Sequence, residues 1–588
     1  MPSFAAFWQR SNPDSRIPER LAGRLARRPG DSARVAATAD GAAGIASRFP
    51  ENANFATNAS GTVRCAFDGE LFNKPDIRKF VLSRTRNLKD ESAAELIANL
   101  WEAKGRDMMM SLRGSFALAI WDEPNHILFV ARDAMGHRPL YVTEGPNGWA
   151  FASELPPLLA FPPARPGLEP QVLDFYLAFH AAPAPLTLFK GIRKLPPAGW
   201  MEIHDGHLED GRYWTPTYYD TAGQNPDEIA QHAFSYLFES VKAHTRDLDS
   251  PVVHLEGDPF SAVLAGLAGL AKRGKMRAFS MRHGWVPIEA REGAELGAKR
   301  FGCPHEEEIS ADTIAGLVDA IAQANVEALP LARMAPAMLF ARSKGAAAGG
   351  VLTAAGGEMY MLAGKRAAPT PLSTLGMWRR MKEHTETAGR PPSRELATEF
   401  EARMVWPPLD RMNVLREKTI GAMEPLAELF KTAPTPGDPS IAAFADAVFF
   451  LPELFLAPLE AACRAHDIRF RSPLADPSAV QILVPVVHAL AGMQPLQGLR
   501  RVFDSLVPED AFWETRWARP EDWELATARE LGARACDTLV EPRSMQRGVF
   551  DVTVVKRMVE EHRRDPVRHD KKLMLLFALE LWHRTFVD

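Results

Sequence analysis

The chain has 588 residues, 46% of them apolar and 24% charged, with 69 Lys and Arg against 74 Asp and Glu for a formal charge of −5. That length suits roughly three to five structural units. The composition excludes a disordered or collagen-like chain, and the slightly acidic balance argues against a nucleic-acid coat, whose electrostatic footprint would be basic.

The first 160 residues read as β-rich. Thr62–Phe72 alternates and ends at the turn signal Asn73-Lys74-Pro75. Glu91–Gly105 has helical spacing through Ala94, Leu96, Ile97, Leu100 and Trp101. Two hairpins follow, around Glu123-Pro124-Asn125 and around Gly145-Pro146-Asn147-Gly148. The Pro-rich stretch Pro156–Pro170 marks a domain edge, and a short β segment runs from Trp200 to Tyr213. From Asn225 the pattern changes to alternating helices and short apolar strands: helix Ile229–Arg246, strand Pro251–Leu255, helix Ser261–Gly274, strand Met276–Met281, helix Pro287–Gly302, and a helix over Met338–Lys344 before strand Gly349–Ala355. That alternation predicts a parallel sheet with crossover helices. Beyond Ala367 the chain reads as mostly helical.

Neither a disulfide framework nor a zinc site is expected, because Cys65, Cys303, Cys463 and Cys536 are scattered with no C-x-x-C pair. The N-terminus lacks the apolar stretch of a secretory signal, and no apolar run reaches the ~20 residues needed to cross a bilayer. A cytoplasmic protein with no membrane and no nucleic-acid partner is the expectation.

Two sets of residues carry a family resemblance. One is Phe67-Asp68-Gly69-Glu70-Leu71-Phe72-Asn73, then Arg113–Asp122, then Ala131-Arg132-Asp133 through Tyr141; the other is the C-terminal run Leu575–Phe586. Together they resemble glutamine-hydrolysing asparagine synthetases. The resemblance implies an α/β protein. An Ntn-type amidotransferase-like αββα domain would occupy 1–160, and 161–224 would be a connecting segment with short β structure. An adenine-nucleotide α-hydrolase-like parallel-sheet domain with a helical C-terminal part would occupy 225–588. It also implies the activities: an N-terminal Cys releases ammonia from glutamine, and the second domain activates a carboxylate with ATP and magnesium and forms an amide. Relatives without the glutaminase close β-lactams or lasso-peptide macrolactams. Family members are often dimers, so a homodimer is expected by analogy.

Against that family the glutaminase residues are altered. The nucleophile position holds Pro2, which has no thiol, and Cys65 sits inside a predicted strand, so hydrolysis by the family route is excluded. Ser3 is an outside candidate. Arg48 corresponds to the arginine that meets the substrate carboxylate, and Gly69 and Glu70 complete the expected substrate-binding set. The acid that would hold the substrate ammonium is Ala93.

The nucleotide site is altered too. The family loop SGGLDSS cradles pyrophosphate with backbone N–H groups, hydroxyls and a helix N-terminus. Here it reads Leu255-Glu256-Gly257-Asp258-Pro259-Phe260-Ser261-Ala262. Leu255, Gly257 and Ser261 are the expected cofactor-binding residues. Two carboxylates stand near the pyrophosphate position, each repelling it by about 4 kcal/mol at ~4 Å and an effective dielectric of ~20. Asp258 could instead hold magnesium, or could simply cap the following helix with Pro259 as its first residue. The second motif is Thr353-Ala354-Ala355-Gly356-Gly357-Glu358-Met359. Thr353, Gly356 and Gly357 join the cofactor set and Glu358 the metal set. The family's catalytic Glu is Ala355, and a further acid is Met359. Glu460, Arg471, Pro473 and Asp476 stand in the segment matching DRxSMAxxxExRxPFLD, where Cys463 and Arg464 replace Ser-Met; Arg471 is either a site residue or half of an internal ion pair. Arg516 stands where a phosphate-meeting lysine belongs, or is a solvated surface charge.

Three functions fit. The first is a pseudoenzyme of the asparagine synthetase family that binds a partner protein or ligand, with no catalytic residues. The second is an ATP- and magnesium-dependent amide-forming ligase with a rebuilt site, acting on a small carboxylate or a peptide like the lasso-peptide macrolactam synthetases. The third is ammonia-dependent asparagine formation.

Overall fold

The computed structural model describes residues 3–10, 14, 16–25, 32–38, 42–48, 54–159, 161, 167–221, 223–357, 400, 404–416, 444–491, 495–507, 512–513 and 520–588. The chain divides into two compact units, Met1–Glu169 with Ala184–Thr215, and Pro170–Pro183 with Pro216–Asp588. The stretch 161–224, expected as a connecting segment, is thus shared between them.

In the first unit, β1 (Ser3–Gln9), β2 (Ala33–Ala37) and β3 (Ala43–Arg48) join β8 (Tyr141–Gly145), β9 (Gly148–Ala152) and β10 (Ile192–Lys194) in a sheet of order β10-β8-β9-β1-β3-β2. The second sheet contains β4 (Phe55–Thr57), β5 (Val63–Leu71), β6 (Gly114–Asp122), β7 (Ile127–Arg132), β11 (Gly199–His204) and β12 (His207–Arg212), in the order β12-β11-β7-β6-β5-β4. All pairings are antiparallel.

Side-chain alternation along β6 builds two cores at once. Ala117, Ala119 and Trp121 face the layer between the sheets with Phe4, Ile45, Val142 and Phe151. Phe116, Leu118 and Ile120 face the other way, onto Leu96, Ile97, Leu100 and Trp101 of helix Ala93–Lys104. On the far side, helix Ile17–Leu25 packs against β1, β2 and β3 through buried Ile17, Leu21 and Leu25. The result is the expected αββα layering.

The second unit is built on a parallel sheet. The strands β13 (Val252–His254), β14 (Arg277–Arg282), β15 (His305–Ile309), β16 (Val351–Leu352) and β17 (Phe470–Arg471) lie in the order β15-β14-β13-β16-β17. Helix Pro259–Ala271 crosses from β13 to β14, and helix Ile288–Arg300 from β14 to β15. The next crossover, from β15 to β16, contains Ile314–Ala324 and Leu331–Arg342. The chain moves outward from β13 on one side and returns to β16 on the other. Loops at the carboxyl ends of β13 and β16 therefore emerge side by side, where open α/β sheets form their ligand crevice. The C-terminal part is helical, as expected, and closes with Asp570–Phe586, whose Trp582 indole donates to Val326 O at 2.9 Å. Among the described residues no helix is long and apolar enough to cross a membrane.

Candidate functional site

In the first unit the candidate residues gather at the strand ends. Ser3 and Arg48 are direct cross-strand partners in β1 and β3. Arg48 is buried, with Nη1 3.8 Å from Oε1 of the equally buried Glu154. Gly69 sits in β5 with φ +148°, and a methyl group there would lie 2.1 Å from Ser115 O, so its absent side chain lets β5 and β6 close. Glu70 is half-buried beside it. Pro2 lies outside the described residues.

Cys65 is fully buried in the core against helix Ala93–Lys104, and burial pushes its thiol pKa far up, which makes it an inert core residue. Ala93 opens that helix. Its cap, Ser92, accepts from Glu95 N, and the Glu95 carboxylate accepts the N–H groups of Lys89 (2.7 Å), Asp90 (3.1 Å) and Glu91 (2.8 Å). The acid in this segment thus organises the loop from inside. The spacing Ser92-x-x-Glu95 is the signal that could have identified it.

In the second unit, two of the sequence-predicted loops meet. Of the readings left open for the Glu256–Ala262 corner, the helix-cap geometry is the one observed. Asp258 Oδ1 accepts from Phe260 N at 2.8 Å and Ser261 N at 3.1 Å, with Pro259 as the first helical residue. Ser261 Oγ accepts from Glu256 N and donates to Asp258 O. Asp258 is 7% exposed, and its Oδ2 has no hydrogen-bond partner among the described residues. Burial pushes its carboxyl above the usual range, against the pull of the N–H groups it accepts.

Gly257 has φ +77°, and a Cβ there would stand 1.7 Å from Ala290 O in helix Ile288–Arg300. Its close approach is to protein backbone. Leu255 is buried and faces the same helix at Gly297. Glu256 projects outward, with Oε1 3.9 Å from His254 Nδ1. His254 stacks on Phe279 at 4.8 Å and meets the tilted ring of Phe340 at 5.1 Å, and burial depresses its pKa to about 3, so it is neutral.

The loop after β16 lies against this corner. A methyl group on Gly357 would be 2.7 Å from Phe260 Cγ, so the Phe260 ring rests on Gly357. Gly356 has φ +92° and is covered by Ala475 and Leu451. Thr353 is buried with Oγ1 3.1 Å from Ser472 Oγ. Glu358, Met359 and Arg516 lie outside the described residues.

Arg471 forms a two-pronged ion pair with Asp247, at 2.6 and 2.8 Å, which is the internal-pair reading of that residue. Sequence gave no hint of a partner so distant along the chain. Glu460 and Arg464 pair one helical turn apart at 2.7 Å. Asp476 caps the helix Pro477–Ala491 by accepting from Ser478 N at 2.9 Å. Among the described residues no group of three or more His, Cys, Asp or Glu is arranged to hold a metal ion.

Among the described residues, the corner after β13 presents no open set of amide and hydroxyl donors to ATP with magnesium. The hydroxyl and amides that would meet phosphate are used internally, and an aromatic ring fills the space beside Gly357.

Family comparison agrees with the architecture. A model of a glutamine amidotransferase domain matches residues 21–214. A model of asparagine synthase matches residues 237–584, more than half of the chain. The chain belongs to the asparagine synthase family. Within this family, a Mycobacterium tuberculosis protein named "Putative asparagine synthetase (glutamine-hydrolyzing)" is 25% identical over 565 residues, covering 89% of this chain and 84% of its own length. Asparagine synthetase (glutamine-hydrolyzing) 3 of Bacillus subtilis is 28% identical over 223 residues, but the match spans 37% of this chain and only 36% of that protein. Among solved structures, the glutamine phosphoribosylpyrophosphate amidotransferase of Bacillus subtilis aligns with a TM-score of 0.27 and 15% identity, covering 54% of this chain and 82% of that chain.

Proposed function

We propose that this asparagine synthase family member is a pseudoenzyme: it retains the two-part architecture, turns over neither glutamine nor ATP, and acts by binding a partner protein or a ligand. One observation carries the reading. At the carboxyl ends of β13 and β16, Asp258 accepts the helix N-terminal amides and the Phe260 ring lies on Gly357. In the family motif SGGLDSS these two positions are a glycine and an aspartate.

Two further changes support it. Ala355 stands at the catalytic acid position and Ala93 at the ammonium-holding position. An alanine can neither move a proton nor pair with an ammonium. Losses at chemically unrelated steps of one reaction point the same way.

The test is calorimetric titration of the purified protein with ATP and magnesium, together with a pyrophosphate-release assay containing aspartate and ammonia and a glutaminase assay. We expect no binding heat up to millimolar ATP, no pyrophosphate and no glutamate. Micromolar ATP binding with pyrophosphate release would overturn the proposal in favour of an ATP-dependent amide-forming ligase with a rebuilt site.

A further inference from the structure

We propose that Asp258 and Phe260 are exclusion residues: the chain's own carboxylate and aromatic ring occupy the anion- and metal-accepting space between the β13 and β16 loops. The inference deepens the pseudoenzyme reading and rests on it.

The argument starts from the amides of the first turn of helix Pro259–Ala271. A helix N-terminus attracts phosphate because its first N–H groups lack intrahelical partners. Here that supply is exhausted. Pro259 has no N–H. Those of Phe260 and Ser261 go to Asp258 Oδ1, and that of Ala262 goes to Asp258 O at 3.2 Å. The Ser261 hydroxyl, another natural phosphate donor, already donates to Asp258 O. The Asp258 carboxylate therefore makes the contacts a phosphate oxygen would make, and its negative charge answers the positive end of the helix dipole. Its second oxygen is buried and has no partner among the described residues, so a second anion brought here would meet an unshielded carboxylate.

Phe260 acts on the other side. The motif SGGLDSS has an aspartate at this position, a side chain whose oxygens would suit a hard cation. The Phe260 ring is 6% exposed and in contact with Gly357, and it offers no oxygen to a cation. Anion and metal are thus refused by different residues and different physics: charge and amide saturation in one case, volume and lack of donors in the other.

Asp258→Ser keeps a good helix cap without the charge, and Asp258→Asn keeps both shape and cap. Each is made in the full chain, alone and with Phe260→Ala, and checked for native circular dichroism. Magnesium pyrophosphate is titrated by calorimetry. Removing one unit charge from an anion ~4 Å away should tighten binding by about a hundredfold or more. We expect no measurable binding to the parent and clear binding to at least one Asp258 variant, strengthened by Phe260→Ala. If the folded variants bind no better than a non-binding parent, the exclusion inference fails and the pseudoenzyme reading stands. If the parent itself binds at micromolar concentration, both fail.

Discussion

Gly257 shows how a residue kept from a family motif can serve a different contact. Its φ of +77° is the left-handed region, and the hydrogen in place of a side chain faces Ala290 O, where a Cβ would lie 1.7 Å away. In a pyrophosphate loop a glycine lets phosphate approach the backbone; here it lets a helix approach. Gly257→Ala should therefore cost stability. Left-handed strain adds about 1–2 kcal/mol and forced displacement of the Ala290 backbone about 1–3 kcal/mol. The expected loss in urea unfolding is about 3 kcal/mol. A loss below about 1 kcal/mol would mean that the loop moves off the helix without penalty.

At the scale of elements, the closing helix Asp570–Phe586 is tied down by charge as well as by its apolar face. Arg547 donates to Glu580 at 2.6 and 3.0 Å, and Arg584 donates to the same carboxylate at 2.7 Å. Burial alone would raise the Glu580 pKa, but the two guanidinium groups outweigh it and hold the carboxyl below its usual range. A carboxyl whose folded pKa is depressed adds stability above its unfolded pKa of ~4.3, and this is lost as pH falls through the folded value. Unfolding free energy should therefore decline below about pH 5. Glu580→Gln should remove that part of the decline and cost about 1–3 kcal/mol at neutral pH, because the half-buried Arg547 and Arg584 lose a shared carboxylate but keep Asp588 and Glu541. Urea titrations of both proteins at pH 7 and pH 4 check this; an equal pH dependence would show that Glu580 is not the titrating group.

The same scale explains what could be read from the sequence. The hairpins β6–β7 and β8–β9 and the helix Ala93–Lys104 were legible, because turn residues and periodicity mark them locally. The strand β15 was not. His305–Ile309 has three consecutive glutamates, and among the described residues it pairs along one edge only, with β14. The Ala- and Gly-rich β2 and β3 give little β signal either. The first loop lies between a strand and a helix and the second follows a strand, as expected, and the cap role of Asp258 followed from Asp258-Pro259. The contact of Phe260 with Gly357 did not, since it joins residues 97 positions apart and depends on β13 and β16 being neighbours.

At the scale of the whole molecule, both units keep the family framework, and the thiols bear most directly on the proposed loss of glutaminase chemistry. A hydrolytic amidotransferase of this family needs an accessible, activated cysteine. This chain has four cysteines, and all four are buried. Burial raises the pKa of Cys65, Cys303 and Cys536, which suppresses the thiolate that reacts. Cys65 faces a core of Phe67, Leu96 and Ile120. A chromogenic thiol reagent should therefore find no fast-reacting group in the native protein and four after unfolding in denaturant. A glutamine-site alkylating reagent should leave the intact mass unchanged. One rapidly labelled thiol in the native state, located by peptide mapping, would reveal an opening of one of these cores and reinstate a cysteine nucleophile as a possibility for the first unit. Labelling confined to the denatured chain leaves that unit without any thiol chemistry, so that whatever role it has must be exercised through its surface or its fold.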